Sequence, residues 1–186
     1  VRELPLSQVV RDALRTHARS LIDRGVSVSA QGLDLVVFSD AKWVAFILGQ
    51  LVENAAKYRA PTEGPGARGA VLTLRATRHD VGRASEHVVL EVEDNGMGIP
   101  AADLPRVFDK GFVGERGRSR SSSRSTGIGL FLVKRLCDKM GLHVSIASEC
   151  DSWTRVSISF PTEPHALRGP DLLVGAPRLP SGARLA

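Results

Sequence analysis

The sequence predicts an α+β domain, because segments with helical periodicity and segments with strand-like patterns both occur within residues 1–160. The clearest helix covers residues 39–58, where apolar side chains recur at the spacing of one helix face. Residues 70–77 and 87–93 are predicted strands, separated by a turn at 79–85. A final hairpin is predicted over residues 143–160, with strands at 143–148 and 153–160.

The first helix is expected to follow a short extended entry, since Pro5 disfavours helical backbone in the residue before it. Ser7 is its expected cap, and Gly25 is expected to end it after Arg24. The side chains expected to face inward from this helix are Val9, Val10, Ala13, Leu14, Leu21 and Ile22.

The remaining elements are shorter or less regular. Two short strands are predicted at 26–30 and 33–38, and a helical turn at 103–108. A last helix is expected to open at Gly127 and to end before Gly141. Its apolar side chains repeat every four residues, at Ile128, Leu132, Leu136 and Met140.

Composition narrows the classes of function. The 186 residues are 42% hydrophobic, as in a globular domain, and carry a net charge of +5. That charge suits nucleic acid, a membrane surface or a small anion. However, four arginines crowd into residues 116–124, which argues against a broad nucleic-acid footprint. No apolar run reaches membrane-spanning length and no signal peptide is visible, although the first residue, Val1, suggests a piece of a longer protein.

Two cysteines, Cys137 and Cys150, show neither metal-ligand spacing nor a disulfide framework. Their scarcity predicts a reducing compartment, because stable disulfides belong to oxidising ones.

The helix at 39–58 has two distinct faces. Its polar face aligns Gln50, Glu53, Asn54 and Lys57, a set that suits a magnesium-bound polyphosphate. The amide oxygen of Asn54 is a hard ligand without charge, and Lys57 can pair with a phosphate. The alternative is a solvated polar face on a core helix. The apolar face consists of Val44, Ile47, Leu48, Leu51, Val52 and Ala55.

A second motif follows the strand that ends at Asp94. A buried carboxylate at a strand end needs a hydrogen-bond donor, and the exocyclic amine of adenine is one candidate. Gly96 and Gly98 would allow backbone to approach the base closely. A tight turn capped by the aspartate side chain is the alternative.

A third motif, Thr126-Gly127-Ile128-Gly129-Leu130, opens the last predicted helix. Glycines at a helix start expose backbone N–H groups, and the helix dipole favours a phosphate there. A flexible hinge is the alternative. The preceding segment, 110–126, is rich in Gly, Ser and Arg, and is expected to be a mobile lid that a triphosphate orders.

Taken in order, these motifs resemble the N, G1, F and G2 boxes of the histidine-kinase ATP-binding domain. That domain belongs to a wider family shared with gyrase, Hsp90 and MutL, the GHKL ATPases. The resemblance covers about residues 4–160, and segments 39–43, 106–115 and 136–141 look closest to sensor kinases for bacitracin-type peptide antibiotics. The residues that carry the boxes are Asn54, Lys57, Tyr58, Asp94 to Gly98, Phe108, Phe112 and Gly127 to Leu130.

The resemblance implies a fold and a set of roles. The fold is a two-layer sandwich, a mixed sheet packed against helices, over residues 1–160. Independently of the resemblance, the prolines and the lack of periodicity in residues 161–186 predict a disordered Pro-rich tail. Asn54 would bind magnesium and, with Lys57, act in catalysis, while Asp94 would recognise adenine. The implied nucleotide-binding residues are Asn54, Lys57, Tyr58, Asp94, Gly96, Gly98, Ile99, Lys110, Thr126, Gly127, Ile128, Gly129 and Leu130.

The resemblance also implies an activity. The domain would bind Mg-ATP and transfer the γ-phosphate to a histidine on dimerisation helices that this chain lacks, since His79-Asp80, its sole His-acid pair, falls in a predicted turn. A response regulator would be the downstream partner. The expected location is cytoplasmic, with any membrane contact made by missing upstream segments, and direct nucleic-acid binding is not expected.

Two rival functions remain open, the first from the same fold and the second from another class. One is an ATP-driven conformational switch of the gyrase or Hsp90 type, and the other is an anti-sigma-type module that docks a partner under nucleotide control. Gln50 stands where the gyrase branch has a glutamate base, and an amide cannot take a proton from water. The sequence therefore favours a kinase.

Overall fold

In the computed structural model, helices cover one face of a five-stranded mixed sheet. The structure describes residues 1–61, 63, 67–114 and 126–163. The predicted α+β fold with a mixed sheet is confirmed. The helices are α1 (Leu6–Thr16), α2 (Ala18–Asp23), α3 (Ala41–Lys57) and α4 (Gly129–Lys139), with a 3₁₀ turn at Leu104–Arg106. The strands are β1 (Arg2–Pro5), β2 (Val26–Gln31), β3 (Val36–Ser39), β4 (Ala70–His79), β5 (His87–Asp94), β6 (His143–Glu149) and β7 (Trp153–Pro161).

The sheet has the strand order β2-β4-β5-β7-β6. Strands β4 and β5 pair as an antiparallel hairpin, and so do β6 and β7, which confirms both pairs predicted from the sequence. Strand β2 joins β4 in parallel, whereas β3 pairs with β1 in a separate two-stranded sheet. Every second residue of the central strands is buried beneath the helices, for example Leu72, Leu74, Leu90, Val92, Val156 and Ile158.

Helix α1 begins one residue before the predicted cap. Its first N–H groups are satisfied by main chain rather than by Ser7, since Leu6 donates to Leu35 O (3.0 Å) and Ser7 to Leu33 O (3.1 Å). Those carbonyls are therefore used by the helix, and β3 starts at Val36 instead of residue 33.

The predicted continuous helix to Arg24 is interrupted at His17, which has φ −103° and ψ 9°. The ring of His17 packs against Gly49 of α3, where a Cβ would lie 2.8 Å from its Nε2. The bend lets Leu21 stay buried but turns Ile22 outward, 76% exposed, so the inward orientation predicted for Ile22 is wrong.

Helix α3 lies at the centre of the core, as predicted. Asp40 caps it by accepting hydrogen bonds from the backbone N–H groups of Lys42 (2.9 Å) and Trp43 (3.3 Å). Its predicted apolar stripe is buried throughout, together with Gly49 and Ala56.

Helix α4 presents a different face from the one predicted. Val133 and Cys137 are its buried residues, with Leu130 partly buried against the core, whereas Ile128 is 40% exposed. A four-residue repeat drifts around a helix of 3.6 residues per turn, so the series that starts at Ile128 does not stay on one side. Leu136 and Met140, at the end of that series, do pack against the core.

Candidate functional site

An open cavity of about 150 Å³ lies between α3, the loop after β5 and strands β6 and β7. Its walls are mostly apolar, and Asp94 supplies a carboxylate at the end of β5. A flat, largely apolar ligand with a hydrogen-bond donor on its edge fits these walls. The apolar wall residues include Leu51, Met97, Ile99, Val107, Ile146 and Val156.

The carboxylate of Asp94 lies in an environment that disfavours its charge. Burial raises its pKa from 3.8 to about 7, with a smaller upward contribution from Glu93, against the hydrogen bond from Gly96 N, which lowers it. That bond reaches Asp94 Oδ1 at 2.9 Å and is the one that this carboxylate accepts within the described residues. The capping turn considered as one alternative is therefore present, and it leaves Oδ2 available to a donor in the cavity, so it does not exclude the other alternative.

The loop after Asp94 is held tightly. Met97 N donates to Tyr58 O (2.9 Å), and Asp151 N donates to Met97 O (2.7 Å). A Cβ on Gly96 would lie 2.4 Å from Tyr58 O, and one on Gly98 would lie 2.0 Å from Glu149 O. Both glycines thus permit close backbone packing, which fixes the loop that carries the carboxylate.

A second, polar cavity adjoins the first. Asn54, Tyr58, Val107, Phe112 and Leu130 line both cavities, so the two form one continuous site. The further residues of the polar cavity are Arg24, Gln50, Glu53, Lys57, Thr126, Gly127 and Gly129. An elongated ligand with an apolar ring and a charged tail matches this arrangement.

Charges in the polar cavity are partly paired. Glu53 Oε1 lies 3.1 Å from Arg24 Nη1, and Glu53 Oε2 accepts a hydrogen bond from Ser20 (2.9 Å) and lies 3.6 Å from His17 Nδ1. The carboxylate of Glu53 therefore already has partners in Ser20, Arg24 and His17 and is not directed at a ligand. Lys57, whose ammonium group lies 5.6 Å from the Tyr58 ring centroid, has no carboxylate partner among the described residues.

The start of α4 closes the polar cavity. Gly127 has φ +65°, and its backbone packs on Gly111 and Phe112, where a Cβ would come within 2.4 Å of Gly111 C. Gly111 N also donates to Gly127 O (3.1 Å). A Cβ on Gly129 would lie 3.0 Å from Gln50 Oε1 and 3.8 Å from the Asn54 amide, so this helix start faces the amides of α3.

The structure places most of the predicted site residues on these two cavities. Asn54, Lys57, Tyr58, Asp94, Gly98, Ile99, Thr126, Gly127, Gly129 and Leu130 line them, and Gly96 lies directly behind Asp94. Lys110 is exposed and lines a shallow depression beside Asp103 and Arg106 instead. The side chain of Ile128 lines neither cavity.

The predicted lid falls largely outside the described residues, since 115–125 are not among them, nor are residues 164–186 of the predicted tail. Within the described residues, no group of three His, Cys, Asp or Glu side chains is arranged to hold a metal ion. A cation at this site would therefore depend on amide oxygens and on oxygens of its ligand. The side-chain amides of Gln50 and Asn54, which both face the start of α4, fit that requirement.

Sequence reasoning missed several wall residues and one loop residue. Ile146, Thr154 and Val156 come from strands that could be predicted, but the register that brings them beside Asp94 could not. Arg68 belongs to an irregular segment, and no sequence signal marked it. Its guanidinium donates to backbone carbonyls of the loop after Asp94.

Comparison with known proteins gives a consistent result. The family described as "Histidine kinase-, DNA gyrase B-, and HSP90-like ATPase" matches residues 39–164. Sensor histidine kinase YxdK of Bacillus subtilis (strain 168) is 37% identical over 164 residues, 88% of this chain and 46% of that protein. Sensor protein BceS of Halalkalibacterium halodurans is 31% identical over 168 residues, 90% of this chain and 46% of that protein. The chain thus spans about half the length of these relatives.

Solved structures agree on the fold. Full-length ShkA in complex with AMPPNP superposes with a TM-score of 0.67 at 21% identity, over 86% of this chain and 30% of that one. Among the described residues, no helix combines the length and the apolar character needed to cross a bilayer. Because the curated relatives are sensor kinases, the rival readings as a gyrase-type switch or an anti-sigma-type module are not favoured. The chain belongs to the histidine kinase-, DNA gyrase B- and HSP90-like ATPase family, and the curated relatives named above are sensor histidine kinases.

Proposed function

We propose that this domain binds Mg-ATP and transfers the γ-phosphate to a histidine on a separate dimerisation segment of a sensor kinase. The observation that carries the proposal is the continuity of the two cavities. The apolar cavity ends on the Asp94 carboxylate and the polar cavity on the amide and ammonium groups of α3. A nucleoside triphosphate has the same order of chemistry along its length.

The base would occupy the apolar cavity. Asp94 Oδ2 would accept a hydrogen bond from the exocyclic amine, while Oδ1 stays engaged with Gly96 N. Leu51, Met97 and Val156 offer apolar surface to the ring faces. A guanine, which presents a carbonyl oxygen at the corresponding edge, would face the carboxylate unfavourably.

The phosphates would occupy the polar cavity. Lys57 contributes a positive charge, and the start of α4 at Gly129 contributes backbone N–H groups and the positive end of the helix dipole. The amide oxygens of Asn54 and Gln50 would hold the magnesium ion. When bound, that ion would neutralise charge on the phosphates and help to orient them.

Transfer then depends mainly on positioning. The side chains of Asn54 and Lys57 project from α3, whose apolar face is buried throughout, so this anchored helix would hold the γ-phosphate in a defined place. The acceptor histidine and the response regulator belong to proteins or segments beyond this chain. A cytoplasmic location within a membrane-anchored sensor is part of the same proposal.

Binding and transfer are tested separately. Titration of a fluorescent ATP analogue, with competition by ATP, ADP and GTP, measures affinity and base preference. Incubation with γ-labelled ATP and the phosphoacceptor segment of the full-length protein measures transfer, which should appear as acid-labile label on that segment. Absence of ATP binding in the wild-type domain would refute the proposal.

The Asn54→Asp substitution should change the metal dependence of ATP binding. It keeps the shape of the side chain but adds a negative charge to the polar cavity, so without Mg²⁺ the affinity for ATP should fall about tenfold. With Mg²⁺ the loss should be smaller, because the cation offsets the added charge. Adenosine, which lacks phosphates, is the control ligand and should bind both forms equally. Equal losses for ATP and adenosine would argue against a phosphate or metal role for Asn54.

The isolated chain should not phosphorylate itself. His79 stacks on His87 with ring centroids 5.3 Å apart. His87 lies seven residues before Asp94 on β5, which corresponds to about 23 Å along a strand. His17 packs beside Glu53 but does not line the polar cavity. Incubation with γ-labelled ATP, followed by acid treatment, should leave no acid-labile label on this chain. If label appears, His17→Gln and His79→Gln variants will identify its position.

A further inference from the structure

Arg68 makes an unusual set of contacts between two segments that border the apolar cavity. Its Nε donates to Asn95 O at 2.8 Å, and its Nη2 donates to Gly96 O at 2.7 Å. The same Nη2 lies 2.9 Å from Asp151 O and 2.9 Å from Ser152 O, in the turn between β6 and β7. One guanidinium therefore joins the loop after Asp94 to the opposite turn.

The base of Arg68 is itself anchored. Its backbone N–H donates to Pro61 O at 3.2 Å. In the residues that follow, Gly69 O accepts a hydrogen bond from Asn95 Nδ2, and Val71 N donates to Asn95 Oδ1, both at 2.8 Å. The arginine thus extends from a fixed point, and its geometry is set by main chain on both sides.

Among the described residues, all the acceptors of Arg68 are neutral main-chain carbonyls. Arg155 is different, because it lies on the sheet and pairs with the carboxylates of Glu91 and Glu93. An arginine that donates hydrogen bonds to carbonyls of two separate segments holds backbone conformation and does not balance a negative charge. The conformation that it fixes is the one in which Gly96 N donates to Asp94 Oδ1.

We propose that Arg68 is a positioning residue for base recognition, since it holds the loop after Asp94 against the β6–β7 turn and so orients the Asp94 carboxylate towards the cavity. This inference rests on the proposed function, because it assigns Arg68 to the base end of that site. Lysine cannot replace the arginine fully, since an ammonium is a compact donor that cannot span both segments in one plane. The chemistry that Arg68 supports is selection of an amino-bearing purine over one with a carbonyl at that edge.

The experiment compares Arg68→Met and Arg68→Lys with the wild type, and uses Arg155→Met on β7 as the matched control. Affinities for ATP and GTP are measured by competition, and amide hydrogen exchange is followed over residues 94–98 and 149–153. Arg68→Met should weaken ATP binding tenfold or more and reduce the ATP-over-GTP preference by a similar factor. Arg68→Lys should be intermediate, and Arg155→Met should keep the wild-type preference.

Each outcome distinguishes the possibilities. Faster exchange in both segments with a reduced base preference supports the proposal. If a folded Arg68→Met variant loses affinity for ATP and GTP equally, or for neither, its base preference is unchanged. That result overturns the proposal and leaves Arg68 a purely structural residue. If Arg68→Met fails to fold, the preference of Arg68→Lys decides in the same way. A wild-type domain that binds neither nucleotide refutes the proposed function instead, whatever the exchange data show.

Discussion

The Asp94→Asn substitution should stabilise the empty domain at pH 8 while it weakens ATP binding. In the folded protein burial raises the pKa of Asp94 to about 7, whereas its ordinary value, expected in the unfolded chain, is 3.8. The proton held by the folded state stabilises it fully below pH 4, and this contribution is lost as the pH rises through 7. Above pH 7 the wild type therefore carries a charge in a poorly solvated place, and the asparagine variant does not.

The expected gain in stability can be bounded. The difference between the two pKa values corresponds to about 4 kcal/mol at 1.36 kcal/mol per unit. Because Asp94 is partly exposed, solvent screening reduces this, and we expect about 1–3 kcal/mol at pH 8. Urea unfolding of both forms at pH 5 and pH 8 measures it. The difference between the two forms should be clearly smaller at pH 5 than at pH 8, because the penalty for ionising Asp94 accumulates between pH 4 and pH 7, and an equal difference at both pH values would contradict the argument.

The same substitution should reduce ATP affinity 10- to 100-fold, the scale of one hydrogen bond to a charged group. The asparagine oxygen can still accept from Gly96 N, which leaves an NH₂ group facing the amine of adenine. Wild-type affinity should fall below pH 7, as Asp94 gains a proton, and the variant should lack that step. Glu93→Gln is the control, since Glu93 pairs with Arg155 and should not contact the base. A variant that binds ATP as tightly as the wild type would remove Asp94 from the site.

Strong local signals explain what could be predicted from the sequence. The apolar stripe of α3 runs over three helical turns and has an aspartate cap at its start, so both its limits and its buried face were predictable. Asp94, Gly96 and Gly98 are nearly consecutive, and Asn54 and Lys57 are neighbours on one helix. Each half of the site could therefore be predicted without knowledge of the tertiary fold.

Features that depend on packing between distant segments could not be predicted. The first helix is interrupted at His17, whose ring packs on Gly49, and no local pattern encodes that contact. The buried face of α4 is selected by α3 and not by its own four-residue repeat. Arg68 acts on carbonyls of residues 95 and 151–152, and a main-chain acceptor carries no side-chain signature in the sequence.

Gly98→Ala should be the most damaging single-methyl substitution at the site. Gly98 has φ +63°, and a Cβ there would lie 2.0 Å from Glu149 O, a backbone atom that cannot swing away. The left-handed conformation costs an alanine about 1–2 kcal/mol, and the overlap adds about 1–3 kcal/mol. We therefore expect a loss of about 2–5 kcal/mol in the free energy of unfolding, measured by urea denaturation.

Gly82→Ala separates the two contributions. Gly82 has φ +75° in the turn between β4 and β5, and a Cβ there would meet nothing within 4 Å. Its free energy of unfolding should fall only by the conformational cost, about 1–2 kcal/mol, and its ATP affinity should stay at the wild-type value. Gly98→Ala, by contrast, must push its loop away from the β6–β7 turn, which disturbs the bonds of Met97 O to Asp151 N (2.7 Å) and of Ile99 N to Ser148 Oγ (2.8 Å). Because Asp94 starts that loop, ATP affinity should fall at least tenfold, and equal stability and affinity in the two variants would show that the loop can shift without consequence for the site.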